Sequence, residues 1–156
     1  MDCRVLTEKD KREICSWRYQ EEYAVYNLPS WDNMCAAGYR FVNPEHSGSF
    51  LGFWLENVLM GYVSLKEDEQ AMEVGIGLRP DFCGRGYGTE VLKEACRTAV
   101  RCFPSKPLRL EVRAWNHRAI RCYEKAGFAV CGVPYSKEAP GGQDMFILME
   151  DKENLH

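Results

Sequence analysis

Apolar residues along this chain switch between a period of two and a helical period, and the switches mark out its elements. Arg4-Val5-Leu6 reads as a short opening strand, and Thr7 with Asp10 three positions on forms a capping-box pattern that opens a helix. Ile14, Trp17, Tyr19, Tyr23 and Tyr26 then recur at broadly helical intervals. They predict a core-facing stripe on a helix that ends at Asn27-Leu28-Pro29-Ser30. Residues 27–49, with Pro29, Gly38, Pro44 and Gly48, read as irregular or only briefly helical, a segment suited to lining a pocket. From Ser49 to Leu65 the chain alternates and is rich in aromatics, with Glu56-Asn57 as a turn, which predicts a β-hairpin followed by a polar connection over Lys66–Gln70. Glu73–Leu78 is the next strand. Tyr87–Cys102 is a helix with Val91, Leu92, Ala95, Ala99 and Cys102 on its apolar face. A strand over Leu108–Val112, a short helix over Ala119–Lys125 stopped by Gly127, and strands over Phe128–Val133 and Met145–Met149 complete the series. The order predicts an α/β fold, a mixed sheet flanked by helices, in a single domain spanning residues 1–156.

At 156 residues, 46% of them hydrophobic, the chain can bury a full core and needs no second domain. No apolar run approaches the roughly 20 residues that cross a bilayer, and Met-Asp-Cys-Arg at the start lacks the basic and apolar regions of a signal peptide. Both point to a cytoplasmic protein without a membrane partner. The eight cysteines include no Cys-x-x-Cys pair and are expected to be mostly small buried hydrophobes, reduced and unpaired. A net charge of −3 argues against nucleic acid as a partner. The charge is unevenly spread: residues 79–125 carry eleven Lys/Arg against five Asp/Glu, whereas residues 1–78 carry seven against thirteen. Most of these charges read individually as solvated helix faces. Collectively, a basic centre suits an anionic, phosphate-bearing ligand and an acidic N-terminal half suits a cationic one.

The basic block contains Val74–Glu90, in which a strand-like run leads into glycines at 84, 86 and 88 and then into a helix. Such glycines adopt positive φ and let a ligand approach the backbone, while the free N–H groups and dipole of the helix's first turn favour an anion. A pyrophosphate fits those donors. The Gly-Lys-Ser/Thr ending of a nucleoside-triphosphate loop is missing, as is the setting of a dinucleotide fingerprint.

Downstream comes Asn116-His117-Arg118-Ala119-Ile120-Arg121-Cys122-Tyr123-Glu124-Lys125-Ala126-Gly127-Phe128. Together the two segments resemble the GNAT superfamily of N-acetyltransferases, whose members bind acetyl-CoA through Gln/Arg-x-x-Gly-x-Gly/Ala and often carry Asn-x-x-Ala-x-x-x-Tyr-x-Lys-x-Gly-Phe. The second pattern matches at Asn116, Ala119, Tyr123, Lys125, Gly127 and Phe128. In the first, Gly86 and Gly88 match and Cys83 stands in the Gln/Arg place. The resemblance implies a mostly antiparallel central sheet and acetyl-CoA as co-substrate. It implies cofactor contacts from the loop Cys83, Gly84, Arg85, Gly86, Tyr87, Gly88 and Thr89 and from Asn116, and strand-like pairing of the pantetheine arm with Ile76, Gly77 and Leu78. Gly75 and Gly77 are expected to leave one face of that strand open. Asn116 also suits a helix N-cap.

Acetyl transfer needs a neutral amine, yet an unperturbed lysine titrates near 10.4 and a terminal amine near 7.7 to 8.0. The resemblance makes Glu73 the candidate base, relaying through water, against an equally weighted reading as a solvent-facing carboxylate. It makes Tyr123 the acid, since a phenol stays protonated at neutral pH and can serve a departing thiolate. His117 has no Cys/His partners at metal-ligand spacing, so no metal is expected. Cys83 reads as a plain loop cysteine. The function implied is direct acetyl transfer to a primary amine of a small molecule or peptide, the amine itself unidentified. Tyr23, Tyr26 and Trp31 hint at a cationic amine with apolar character. A non-catalytic acyl-CoA-binding sensor or partner domain is the alternative, a nucleotide-binding protein a third reading, and monomer and homodimer are both open.

Overall fold

The computed structural model describes residues 1–151. The alternating segments pair into one seven-stranded sheet: β1 (Asp2–Val5), β2 (Phe50–Leu55), β3 (Val58–Glu67), β4 (Met72–Leu78), β5 (Leu108–Arg113), β6 (Phe128–Ala139) and β7 (Gly142–Asp151). Their spatial order is β1-β2-β3-β4-β5-β7-β6, antiparallel throughout except for the parallel pair β4–β5. The hairpin turn falls at Glu56 and Asn57, both at positive φ, as a tight two-residue connection requires.

The helices are α1 (Glu8–Cys15), α2 (Trp31–Ala37), α3 (Tyr87–Cys102) and α4 (His117–Lys125). Thr7 and Asp10 close the expected capping box on α1, at 3.1 and 2.9 Å. Helix α3 buries Val91, Leu92, Ala95 and Ala99 in the main core, with Phe53, Val63, Met72, Val74, Leu110 and Met149 from the sheet. Each of the larger side chains contributes about 1.5–3 kcal/mol on burial, the alanine methyls about 0.8 kcal/mol each. A second cluster, Leu6, Ile14, Trp17, Met34, Phe41, Phe50 and Trp54, packs around α1 and α2. Neighbours Phe53 and Trp54 enter different clusters, as the period of a strand demands.

Three expectations are corrected. The first helix ends at Cys15, not near Tyr26. The Arg18 guanidinium donates to the carbonyls of Cys15 and Trp17, at 3.0 and 2.8 Å, and the Ser16 hydroxyl to that of Glu13, so side chains satisfy the helix end. The aromatic stripe therefore divides: Trp17 joins the second core, while Tyr19, Tyr23 and Tyr26 face a cavity, the last two on a 3-10 helix over Glu21–Tyr26. The expectation of brief helix within 27–49 holds: α2 has seven residues, started by Ser30 and ended by Gly38 at φ +72°. Strands β6 and β7 extend well past the predicted ends, because polar cross-strand pairs such as Ser136–Gln143 and Gln143–Glu138 continue a ladder with no hydrophobic signal. Among the described residues the cysteines form no disulfide, but only Cys15 is buried; Cys3, Cys35 and Cys102 are exposed, so Cys102 leaves the apolar face of α3 at its last residue. Among the described residues, no helix is long and apolar enough to cross a membrane.

Candidate active site

The sheet opens where its strands run parallel. Pairing between β4 and β5 is confined to Met72–Leu108 and Glu73–Arg109. Beyond those pairs, Val74–Leu78 and Leu110–Arg113 form opposite walls of a cavity of about 750 Å³. Gly84, Gly86, Gly88 and Thr89 line it too, as do Asn116, Arg118, Arg121, Tyr123 and Lys125 at and along α4. The segment before α2 contributes Tyr19, Tyr23 and Tyr26, and the β6–β7 hairpin contributes Lys137, Glu138 and Phe146.

At the loop, Gly84 and Gly86 stand at φ +73° and +86°, and a Cβ on either would meet nothing within 4 Å. Their need for glycine is conformational, and the space beside them is open to a ligand. Gly86 is the N-cap of α3 and no side chain caps that end, so the first-turn N–H groups are left for an anion. A pyrophosphate group fits this cradle. Gly88 has another reason: a Cβ there would lie 2.9 Å from Cys122 Sγ, so the residue lets α3 and α4 approach. Gly75 and Gly77 do not leave an open face. Ser64 Oγ and Tyr62 Cε1, each 2.5 Å from where a Cβ would be, occupy it from the paired strand β3. Burial lifts the Tyr62 phenol to about 12.

Of the residues singled out in the sequence, Ile76, Gly77, Leu78, Cys83, Gly84, Gly86, Gly88, Thr89, Asn116 and Tyr123 all line the cavity. Arg85 and Tyr87 do not. The Arg85 guanidinium sits outside, over the rings of Phe82 and Tyr87 at 5.7 and 5.6 Å. Cys83 packs its thiol against the carbonyls of Arg79 and Leu78, and burial raises its pKa, which keeps it a thiol. Tyr19 Oη donates to the Leu78 carbonyl. Asn116 caps α4 through Oδ1 to the Ala119 N–H at 3.2 Å. Tyr123 has its pKa raised, first by burial and then by Cys122 and Tyr26, so its proton is retained well into alkaline solution.

Glu73 is exposed and stands at the closed end of the fork, outside the cavity lining. Trp31 also lies elsewhere, under the Arg12 guanidinium. The β5 wall of the cavity carries a carboxylate, Glu111, which accepts from Tyr135 Oη and Lys137 Nζ. Sequence reasoning passed over it. Its signal was a charged side chain alternating with Leu110 and Val112 in a strand with neighbours on both sides. Arg113 was missed on the same strand: it is buried, bonded to Asp144 at 2.7 Å and to the Pro140 carbonyl at 3.0 Å. The Trp115 indole at 2.8 Å and Arg113 together hold the Asp144 carboxyl below its ordinary range.

Comparison with known proteins adds a family and a set of similar folds. The acetyltransferase (GNAT) family matches residues 11–128. No curated protein sequence matches the chain. Spermidine N-acetyltransferase from Vibrio cholerae, solved with CoA and spermine, superposes with a TM-score of 0.73 at 20% identity over 99% of this chain and 98% of that one. AAC(6')-Ib, solved with ribostamycin and coenzyme A, gives 0.69 at 20% identity over 98% and 94%. The ribosomal-protein-S18-alanine N-acetyltransferase from Escherichia coli gives 0.68 at 18% identity over 96% and 91%. At such identities these likenesses speak for the fold.

Proposed function

The chain belongs to the acetyltransferase (GNAT) family, whose reaction is acetyl transfer from acetyl-CoA to an amine, and we propose how its cavity divides that work. The observation that carries the reading is the fork between β4 and β5, with the glycine cradle at its mouth and Tyr123 and Glu111 on its walls. Bound acetyl-CoA supplies a thioester-activated acetyl group. The backbone of Ile76–Leu78 and the first turn of α3 hold the cofactor, and Arg118, Arg121 and Lys125 add positive charge for its phosphates. Glu111 takes the proton that the amine loses on attack, directly or through water. Glu111 accepts from Lys137 and Tyr135, and each carboxylate oxygen keeps acceptor capacity beyond the one donor it holds. Tyr123 Oη gives a proton to the sulfur as the carbon–sulfur bond breaks. Glu73, on the exposed surface beyond the fork, is the competing base.

For the acceptor we favour a small cationic primary amine with an apolar body. Its end of the cavity is walled by Tyr23, Tyr26, Tyr39 and Phe146, with the carboxylates Glu111 and Glu138 among them. The solved relatives hold amines of related character, spermine and ribostamycin. A thiol-release assay with acetyl-CoA against polyamines, aminoglycosides, amino acids and short peptides tests this. Turnover is expected with the cationic small amines. Tight CoA binding with no thiol release across the panel would leave a non-catalytic acyl-CoA sensor, and turnover confined to peptides would reverse the acceptor assignment.

A further inference from the structure

Near Tyr123 the cavity wall carries another phenol, Tyr26, with 37% of its surface exposed and a defined hydrogen-bond partner. Resting on the reading that Tyr123 protonates the leaving sulfur, we propose that Tyr26 is a positioning residue for Tyr123 and acts through Asn116.

The link is the Asn116 side chain, buried at 6% exposure and used at both ends. Its Oδ1 caps α4 through the Ala119 N–H at 3.2 Å, and its Nδ2 donates to Tyr26 Oη at 2.9 Å. Ala119 and Tyr123 are four residues apart and share a face of α4, so the bond that starts the helix also sets the direction from which Tyr123 enters the cavity. Tyr26 is itself fixed. Its ring packs on Trp115 with centroids 6.2 Å apart and lies 5.7 Å from the Arg113 guanidinium, and both of those partners are bonded to Asp144. The Tyr26 hydroxyl accepts from the Asn116 amide, which leaves its own hydrogen for the cavity. Its proximity to Tyr123 contributes to the raised pKa of that phenol, after burial and Cys122.

Ring packing alone would be served by phenylalanine. The hydroxyl gives Asn116 Nδ2 its partner, and without it a buried amide donor is left unpaired and the cap on α4 is loosened.

The test is a double-mutant cycle on Tyr26→Phe and Tyr123→Phe, with kcat and both KM values measured on the best amine of the panel. Tyr26→Phe is expected to lower kcat about tenfold, as one misplaced hydrogen bond would, with the acetyl-CoA KM within about twofold. In a Tyr123→Phe background it should cost nothing further. Unchanged kcat overturns the proposal. So does a loss confined to the acceptor KM, which would limit Tyr26 to its place in the wall of the amine site, and so does a loss that multiplies fully with that of Tyr123→Phe. If Tyr26→Phe lowers the melting temperature, Tyr26→His is read in its place, since its ring nitrogen can accept from Asn116. Part of kcat returns if the hydrogen bond matters, and none returns if packing alone does. Wild-type kcat in Tyr123→Phe alone would withdraw the acid role of Tyr123, a result reported without any change at Tyr26.

Discussion

The two ends of the cavity are built from different materials. The cofactor end is mostly main chain: two positive-φ glycines, an uncapped helix terminus and the free edge of β4. The acceptor end is mostly side chain, with tyrosines from the segment before α2, a carboxylate from β5 and a hairpin that reaches over from β6 and β7. A site made of backbone must be written locally, because glycine spacing and the strand-to-helix switch create it within one stretch of sequence. A site made of side chains can be assembled from residues far apart, and tertiary packing decides which of them meet.

The largest effect should come from breaking the main-chain end. Gly86→Asp puts a negative side chain in the proposed pyrophosphate cradle and forces a residue with a Cβ to φ +86°. Acetyl-CoA at about 100 times its dissociation constant should stabilise the wild type by roughly 2.7 kcal/mol, read as a raised melting temperature, and should not stabilise the variant. ATP and NAD should stabilise neither. Stabilisation by the nucleotides instead of CoA would remove the cofactor assignment.

Next in size is Tyr123→Phe, at the junction of the two ends, with an expected fall in kcat of about 10³ and little change in CoA affinity. The sign of its pH dependence follows from burial. A phenol whose pKa is raised in the folded protein stays protonated through neutral and mildly alkaline solution, so wild-type kcat should show no descending limb from this group below about pH 10. The same sign governs stability. Tyr19, Tyr26, Tyr62 and Tyr123 are all raised, first by burial, so the unfolded chain ionises these phenols before the folded one. Stability should therefore hold up to about pH 10, the ordinary phenol value, and fall above it. A descending kcat limb near neutrality would assign the proton to another group.

That division also explains what was legible in the sequence. The helix over Tyr87–Cys102 and the cap at Asn116 carry local signals and were read at their true positions. The stripe from Ile14 to Tyr26 was read as one helix because its spacing is helical. What ends α1 is a set of side-chain bonds from Ser16 and Arg18, for which the sequence has no glycine or proline marker. Glu111 escaped notice for a similar reason. Its donors, Tyr135 and Lys137, lie on the polar half of β6, which has no hydrophobic signature and becomes a strand only by pairing with β7.

Glu111→Gln tests the side-chain end, with an expected loss of about 10² in kcat/KM near neutral pH. Glutamine keeps the shape and can still hydrogen-bond to Tyr135 and Lys137, but it cannot take a proton, so the reaction waits for amine already neutral in solution. Raising the pH should rescue part of the loss. A loss equal at every pH would mean that Glu111 only holds the hairpin in place.

The smallest effect is expected at Glu73, and it is the sharpest check on the line between the two ends. Glu73 sits beside Arg109 where β4 and β5 are still paired, and the cavity begins one residue further on, at Val74. The Glu73 carboxylate is near enough to Tyr135 to help raise that phenol's pKa, but Glu111 holds the Tyr135 hydroxyl directly and lines the cavity, which Glu73 does not. Glu73→Gln should therefore leave kcat/KM within about twofold of wild type, the scale of a surface change. The measurement is a pH profile of kcat/KM for Glu73→Gln beside Glu111→Gln on the same amine. If the acid limb moves with Glu73 and stays in place with Glu111, the base belongs on the outer stretch of β4, and the acceptor must enter from the closed end of the fork instead of beneath the hairpin.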